Sequence, residues 1–177
     1  MKTRTLLFVV GLAVGLAGLI LVTQTNVLNT EQPMIPERQG KPLGGQKVVK
    51  TDEEWRALLT REQYRVTRGR GTERACSGAF WDSKDDGEYV CVCCGQPLFD
   101  SGTKFDSGTG WPSFMQPVNE DYLSTAKEGS GLLAPSEVLC SRCDAHLGHV
   151  FSDGPRPTGL RYCINSAALR LVSRTTP

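Results

Sequence analysis

Basic residues are not in excess in this chain: lysine and arginine number 20 against 19 aspartates and glutamates. Binding a phosphate backbone needs a basic face, so the balance argues against a charge-driven nucleic-acid role. Histidine occurs only twice, at His146 and His149. Neither stands in a helical HExxH setting with a general-base glutamate, and a zinc hydrolase built on the pair lacks a third ligand. No strand–helix–strand rhythm runs through the sequence, which removes a Rossmann-type sheet. Internal repeats are missing apart from two CxxC pairs, and long apolar stretches are limited to one.

That stretch is Leu6 to Val22, seventeen residues without a charge, preceded by Lys2 and Arg4. Its length lies between a signal-peptide core and a membrane span. No small-x-small cleavage site follows, so residues 1–25 are expected to be an uncleaved signal anchor, with a cleaved signal peptide as the alternative. Basic residues ahead of the run favour a cytoplasmic N-terminus and an exported body. The expected location is membrane-anchored outside the cytoplasm, as in a bacterial periplasm, or secreted after cleavage. Residues 26–45 hold three prolines and three glycines and read as a flexible linker. A domain over 46–174 remains, one body of ordinary size.

Glycine (19) and proline (10) are plentiful, the texture of a turn-rich body. Thr51 and Glu54 form a capping-box start, and Trp55, Leu58 and Leu59 make an i, i+3, i+4 stripe, so the sequence predicts a short amphipathic helix over 51–60. Beyond it EYVCV, EVLC, LGHVF and LRYCIN are short, rich in β-formers and bounded by turn residues, which predicts a mainly antiparallel β domain.

Seven cysteines are the unusual feature. Cys91–Cys94 and Cys140–Cys143 are matched CxxC pairs with 45 residues between them. Two such turns complete a tetrahedral zinc site of four thiolates, closed and therefore structural. Two disulfides, which an exported compartment permits, are the alternative. Cys93 falls out of phase inside the first pair and reads as a spare thiol.

Cys163 stands apart, in RYCIN, with Arg161 and Asn165 two residues to either side. If HLGHVF and RYCIN are adjacent strands of a hairpin, the turn between them gathers His146, His149, Asp153, Arg161, Cys163 and Asn165. Alternation then sets Arg161, Cys163 and Asn165 on one face. A nearby cation stabilises a thiolate, Asn165 can position a reacting group, and a histidine can deliver a proton near neutral pH. Trp111, in the glycine-rich loop DSGTGWPSF, offers a flat wall to a methyl or thioether. Each residue has a plainer reading alone, as a buried small hydrophobe, a core ring or a surface charge. The plainer readings lose ground because all but Trp111 fall within two short neighbouring segments.

With GTERACSGAFW, YVCVCCGQPLFDSGTKFDSGTGWPSF and CSRCDAHLGHVFSDGPRPTGLRYCINSAAL, from about Val48 to Leu171, the sequence resembles the methionine sulfoxide reductase B family. The resemblance implies a fold of two antiparallel sheets, a β-tent, with one structural zinc per chain on Cys91, Cys94, Cys140 and Cys143 and no organic cofactor. It implies reduction of the R-epimer of methionine sulfoxide, free or in oxidised proteins; the chain is expected to act as a monomer. Cys163 matches the family's catalytic cysteine. His146, His149, Asp153, Arg161 and Asn165 match the residues that bind the sulfoxide oxygen and assist its protonation, and Trp111 matches the indole against the substrate ε-methyl. The implied sulfenic acid on Cys163 is resolved by a second thiol, and the disulfide is then reduced by thioredoxin or a similar dithiol. Many members place the resolving cysteine where this chain has Thr109, so the role is expected of Cys76; Cys93 is the other candidate, and direct reduction by an external thiol the alternative route. A non-catalytic zinc module is the rival reading, and it has no use for Cys163 between Arg161 and Asn165.

Overall fold

The computed structural model describes residues 40–42, 45–128 and 134–174. The anchor expected over 1–25 and most of the expected linker lie outside the described residues. Among the described residues no helix is long and apolar enough to cross a membrane.

Two helices open the body. Helix α1, Asp52–Leu58, is capped as expected: Thr51 Oγ1 accepts from Glu54 N, and the Glu54 carboxylate accepts from Thr51 N. It ends earlier than expected, with Leu59 already extended as its C-cap. The apolar stripe shrinks accordingly: Trp55 is buried, whereas Leu58 is 60% exposed. Helix α2, Arg61–Thr67, was not expected, because REQYRVT carries no i, i+3, i+4 apolar stripe. Its signal was a second capping box, Thr60 with Gln63. Each helix spans only two turns, so both depend on tertiary packing for their stability.

Nine strands follow among the described residues: β1 Gly87–Cys91, β2 Pro97–Asp100, β3 Lys104–Phe105, β4 Ser113–Phe114, β5 Leu123–Lys127, β6 Ser136–Cys140, β7 His146–Phe151, β8 Arg161–Ile164 and β9 Leu169–Ser173. They form two sheets, in orders β2-β1-β9 and β3-β4-β8-β7-β6-β5. Every pairing is antiparallel, so the expected mainly β architecture of two antiparallel sheets holds. The hairpin expected between HLGHVF and RYCIN is β7–β8.

Aromatic rings close the space between the sheets. Phe99 of β2 stacks on Phe114 of β4 at 4.4 Å, and Tyr89 of β1 meets the same Phe114 ring edge-on at 5.1 Å. Tyr162 of β8 approaches Phe99 at 5.7 Å. Tyr89, Phe99 and Phe114 are wholly buried, each contributing about 1.5–3 kcal/mol through apolar burial. Tyr162 and Phe114 point into this core, which turns their strand neighbours Cys163 and Ser113 toward the opposite face.

Candidate active site

β8 lies between β4 and β7, with Cys163 opposite Ser113 on one side and His149 on the other. Strict alternation along β7 would send His146 and His149 to opposite faces. The β6–β7 register instead passes from Val138↔Gly148 to Leu139↔His146, leaving Leu147 as an extra residue, a β-bulge. The two imidazoles therefore share a face, their ring centroids 5.5 Å apart. Gly148 makes the approach to β8 possible: a Cβ there would stand 2.1 Å from the Cys163 carbonyl oxygen, and its φ is +156.

A cavity of about 170 Å³ opens on this face, lined by Cys163, His149, Asn165 and Trp111 together with Thr72, Gly148 and Phe151. Four of the expected site residues therefore meet in one pocket. Thr72 and Phe151 are additional; Phe151 sits in HLGHVF, where strand alternation puts it on the face of His149. Arg161 and Asp153 stand behind the wall. The Arg161 guanidinium lies 4.3 Å from the Phe151 ring and donates twice to Asp153, Nε to Oδ1 and Nη2 to Oδ2, each at 2.8 Å. That pairing holds the Asp153 carboxyl below its ordinary range and so keeps it ionised.

The thiol departs from the simple expectation of cation activation. Burial pushes the Cys163 thiol above its ordinary value, and the opposing pull of Arg161, Thr109 and Ser113 does not cancel it. The resting sulfur is a thiol in a largely apolar pocket. Hydroxyls reach it from one side: Thr109 Oγ1 lies 4.0 Å from Cys163 Sγ, and Ser107 Oγ is 2.8 Å from both Thr109 Oγ1 and Ser113 Oγ. His146 is deeper, its Nδ1 2.8 Å from Glu137 Oε1. His149 is nearer solvent, its Nε2 3.1 Å from Glu128 Oε2.

Asn165 leaves β8 as the N-cap of a short 3-10 turn, Ser166–Ala168, so its place in the pocket comes from that turn rather than from strand alternation. Its Nδ2 donates to Leu147 O at 3.0 Å, and its Oδ1 accepts from Glu73 N at 3.0 Å. One amide hydrogen is left for a ligand. Glu73, which carried no expectation, ties the site together. Its carbonyl accepts from Trp111 Nε1 at 3.2 Å, and its buried carboxylate accepts from Ser166 N and Ala167 N at 2.6 and 2.8 Å. One residue thus holds the indole wall and the turn behind Asn165. Glu73→Ala should orphan the buried Ser166 N–H, at about 1–3 kcal/mol, and the half-buried Ala167 N–H at less. Urea unfolding checks this, and an unchanged midpoint would contradict it.

The four CxxC sulfurs lie within 4.8 Å of one another. Cys91 Sγ is 3.7 Å from Cys143 Sγ, and Cys94 Sγ is 3.6 Å from Cys140 Sγ. All four are free thiols, so the alternative of two disulfides is not realised. A tetrahedron with metal–sulfur bonds of about 2.3 Å sets its sulfurs about 3.8 Å apart, so the spacing fits one ion. The two turns are built alike: Gly95 N donates to Cys91 O and Asp144 N to Cys140 O at 2.8 and 2.9 Å, with Gly95 and Asp144 both at positive φ. Cys91 ends β1 and Cys140 ends β6, so the cluster joins the two sheets. Cys93 packs partly buried against the core outside the cluster.

Cys76 is exposed and bonded to the loop ahead of Trp111. Its N–H donates to Gly110 O at 2.8 Å, and a Cβ on Gly110 would stand 2.7 Å from Cys76 Sγ. The glycine at 110 therefore lets the thiol sit one residue from Thr109, the residue that reaches Cys163. Cys76 itself holds a left-handed φ of 60, an uncommon conformation for a side chain with a Cβ.

The SelR domain model matches residues 59–173. Peptide methionine sulfoxide reductase MsrB of Hahella chejuensis is 59% identical over 127 residues, 72% of this chain and 91% of that protein. MsrB of Leptospira interrogans is 56% identical over 124 residues, 70% of this chain and 95% of that protein. The chloroplastic peptide methionine sulfoxide reductase B1 of Arabidopsis thaliana is 59% identical over 121 residues, 68% of this chain and 60% of that protein. The chain belongs to the SelR-domain family of MsrB-type peptide methionine sulfoxide reductases.

Proposed function

We propose that this chain reduces the R-epimer of methionine sulfoxide, free or within oxidised proteins, to methionine, with Cys163 as the nucleophile. The observation that carries the reading is the pocket that sets the Cys163 thiol among Trp111, Phe151, His149 and Asn165. Two aromatic faces suit a methyl thioether, and polar groups on the other side suit a polarised S=O bond. The Cys163 sulfur attacks the sulfoxide sulfur, the sulfoxide oxygen passes to Cys163, and the substrate sulfur gains two electrons. Thiol plus sulfoxide yields sulfenic acid plus thioether, so atoms and protons balance within the pair. The thiol proton moves to the developing oxyanion through His149, which lines the pocket, with His146 behind it. Arg161, held by Asp153, supplies fixed positive charge beside the thiolate as it forms.

Cys76 then condenses with the sulfenic acid, releasing water and leaving a Cys163–Cys76 disulfide, which a thioredoxin-like dithiol reduces. Support for Cys76 lies in its exposure and its hydrogen bond to Gly110, beside Thr109. Mass mapping of protein oxidised by substrate is expected to find that bridge; a Cys163–Cys93 bridge, or none, would sink the assignment.

The metal in the four-sulfur cluster is read as zinc, since four thiolates in a closed tetrahedral set suit it and leave no open position for chemistry. The reaction needs no organic cofactor. The apolar run Leu6–Val22 behind Lys2 and Arg4 supports a membrane anchor with the catalytic body outside the cytoplasm, tethered through residues 26–45. There it would repair oxidised envelope proteins. Fractionation tests this, and recovery in the soluble cytoplasm would contradict it. The activity itself is tested with separated R and S epimers of a methionine sulfoxide peptide: turnover of R alone is expected, and turnover of S or of neither would contradict it.

A further inference from the structure

β6 carries a buried carboxylate that the chemistry above does not use. Glu137 is 2% exposed and stands opposite His149 across the β6–β7 pairing. Its oxygens are divided: Oε1 lies 2.8 Å from Nδ1 of His146, and Oε2 accepts from Arg70 Nη1 at 2.8 Å. A buried carboxylate is costly unless paired on both sides, and here one partner is an arginine and the other an imidazole of the site. Arg70 reaches it from the segment after α2 with a left-handed φ of 52, a conformation a non-glycine residue holds at some expense. At the far end of the same ring, His146 Nε2 is buried and has no hydrogen-bond partner among the described residues.

We infer that Glu137 is a positioning residue: by accepting from Nδ1–H it fixes the tautomer of His146 in which Nε2 is the bare nitrogen, and Arg70 holds Glu137 in place for this task. The inference rests on the reductase reading, in which His146 stands behind His149 in proton delivery. Nε2 is then a fixed acceptor on the face that His149 and Cys163 share, ready to receive a proton that His149 passes inward. An unoriented ring would present Nε2–H in part of the population and block that acceptance.

The groups around His146 are few. Glu137 faces it from β6, Arg70 from the segment after α2, and His149 from β7. Cys163 and Arg161 of β8, and Glu128 after β5, lie beyond His149. Helix α2 contacts β7 but buries only Val66 and Thr67, neither of which titrates. Burial holds the His146 pKa below its ordinary value; Glu137 pulls it back up, and His149 and Arg70 pull it down. Loss of Glu137 and loss of Arg70 therefore act on His146 in opposite directions.

Imidazole NMR on the full-length protein tests this cleanly, because the chain has only two histidines. Wild type is expected to show His146 as the Nδ1–H tautomer. In Glu137→Gln the Arg70 donor claims the amide oxygen, the amide NH₂ turns to Nδ1, and the ring is expected to convert to Nε2–H, with its titration moved about one pH unit to the acid side. Arg70→Met should move it the other way and by less, because Arg70 is 64% exposed. With R-sulfoxide substrate, Glu137→Gln should lower kcat about tenfold through misplaced proton transfer while KM holds. Should Glu137→Gln fail to fold, the alkaline shift in Arg70→Met still decides. An Nε2–H tautomer in wild type, or an unmoved or acid-shifted titration in Arg70→Met, would overturn the inference. The expected tautomer and shifts in a protein without reductase activity would remove the reductase reading and leave the hold of Glu137 on His146 standing.

Discussion

Cys163→Ser is expected to abolish methionine formation, with kcat/KM falling on the order of 10⁴-fold or more to the background rate. The reaction is a two-electron exchange between sulfurs, and the enzyme's sulfur is the donor. A serine oxygen has no comparable electron pair to give: accepting the sulfoxide oxygen would require an O–O bond. Arg161, His149 and Asn165 would remain in place with nothing to act on. The change is nearly isosteric at a half-buried position, so the fold should survive it, with Tm shifting by only a few degrees. Retained turnover in a folded Cys163→Ser protein would show that the oxygen goes elsewhere.

Loss of one metal ligand is expected to be as severe for the fold. Cys91 and Cys94 belong to the three-stranded side, whereas Cys140 ends β6 of the six-stranded sheet and Cys143 lies in the turn after it. A structural zinc contributes about 10–16 kcal/mol in small peptides, against a total domain stability of about 5–15 kcal/mol. Cys94→Ser should therefore lose the metal and the cooperative unfolding transition together, read by metal analysis and near-ultraviolet circular dichroism. Replacing both His146 and His149 should leave one zinc per chain, since neither histidine belongs to the sulfur cluster. A Cys94→Ser protein with wild-type Tm, or zinc lost with the histidines, would contradict the assignment of the metal to the four sulfurs.

The sulfur cluster and the β7–β8 hairpin were legible because their signals are local: matched CxxC spacing, and alternating β-formers on either side of a turn. The shared face of His146 and His149 was not. Period-two reasoning separates them, and only the bulge at Leu147 reunites them. Helix α2 hid for a related reason, its capping box present but its apolar stripe missing. Glu73 and Glu137 were invisible because their partners lie far along the chain or across a strand pair. Glu73 reads as one charge in GTERAC until it meets Trp111, Asn165, Ser166 and Ala167. The state of Cys163 depended on a balance that residue types do not reveal, with burial outweighing the pull of Arg161.

The central claim is that the sulfoxide oxygen passes to Cys163, and a single-turnover reaction tests it most directly. Fully reduced full-length protein is mixed with excess R-sulfoxide peptide in the absence of any reductant, and reduced peptide is counted per chain. One equivalent is predicted, formed from the R-epimer alone, with Cys163 lost from the free thiols in the same proportion. No reduced peptide, or an equivalent formed while Cys163 stays a free thiol, would contradict the account.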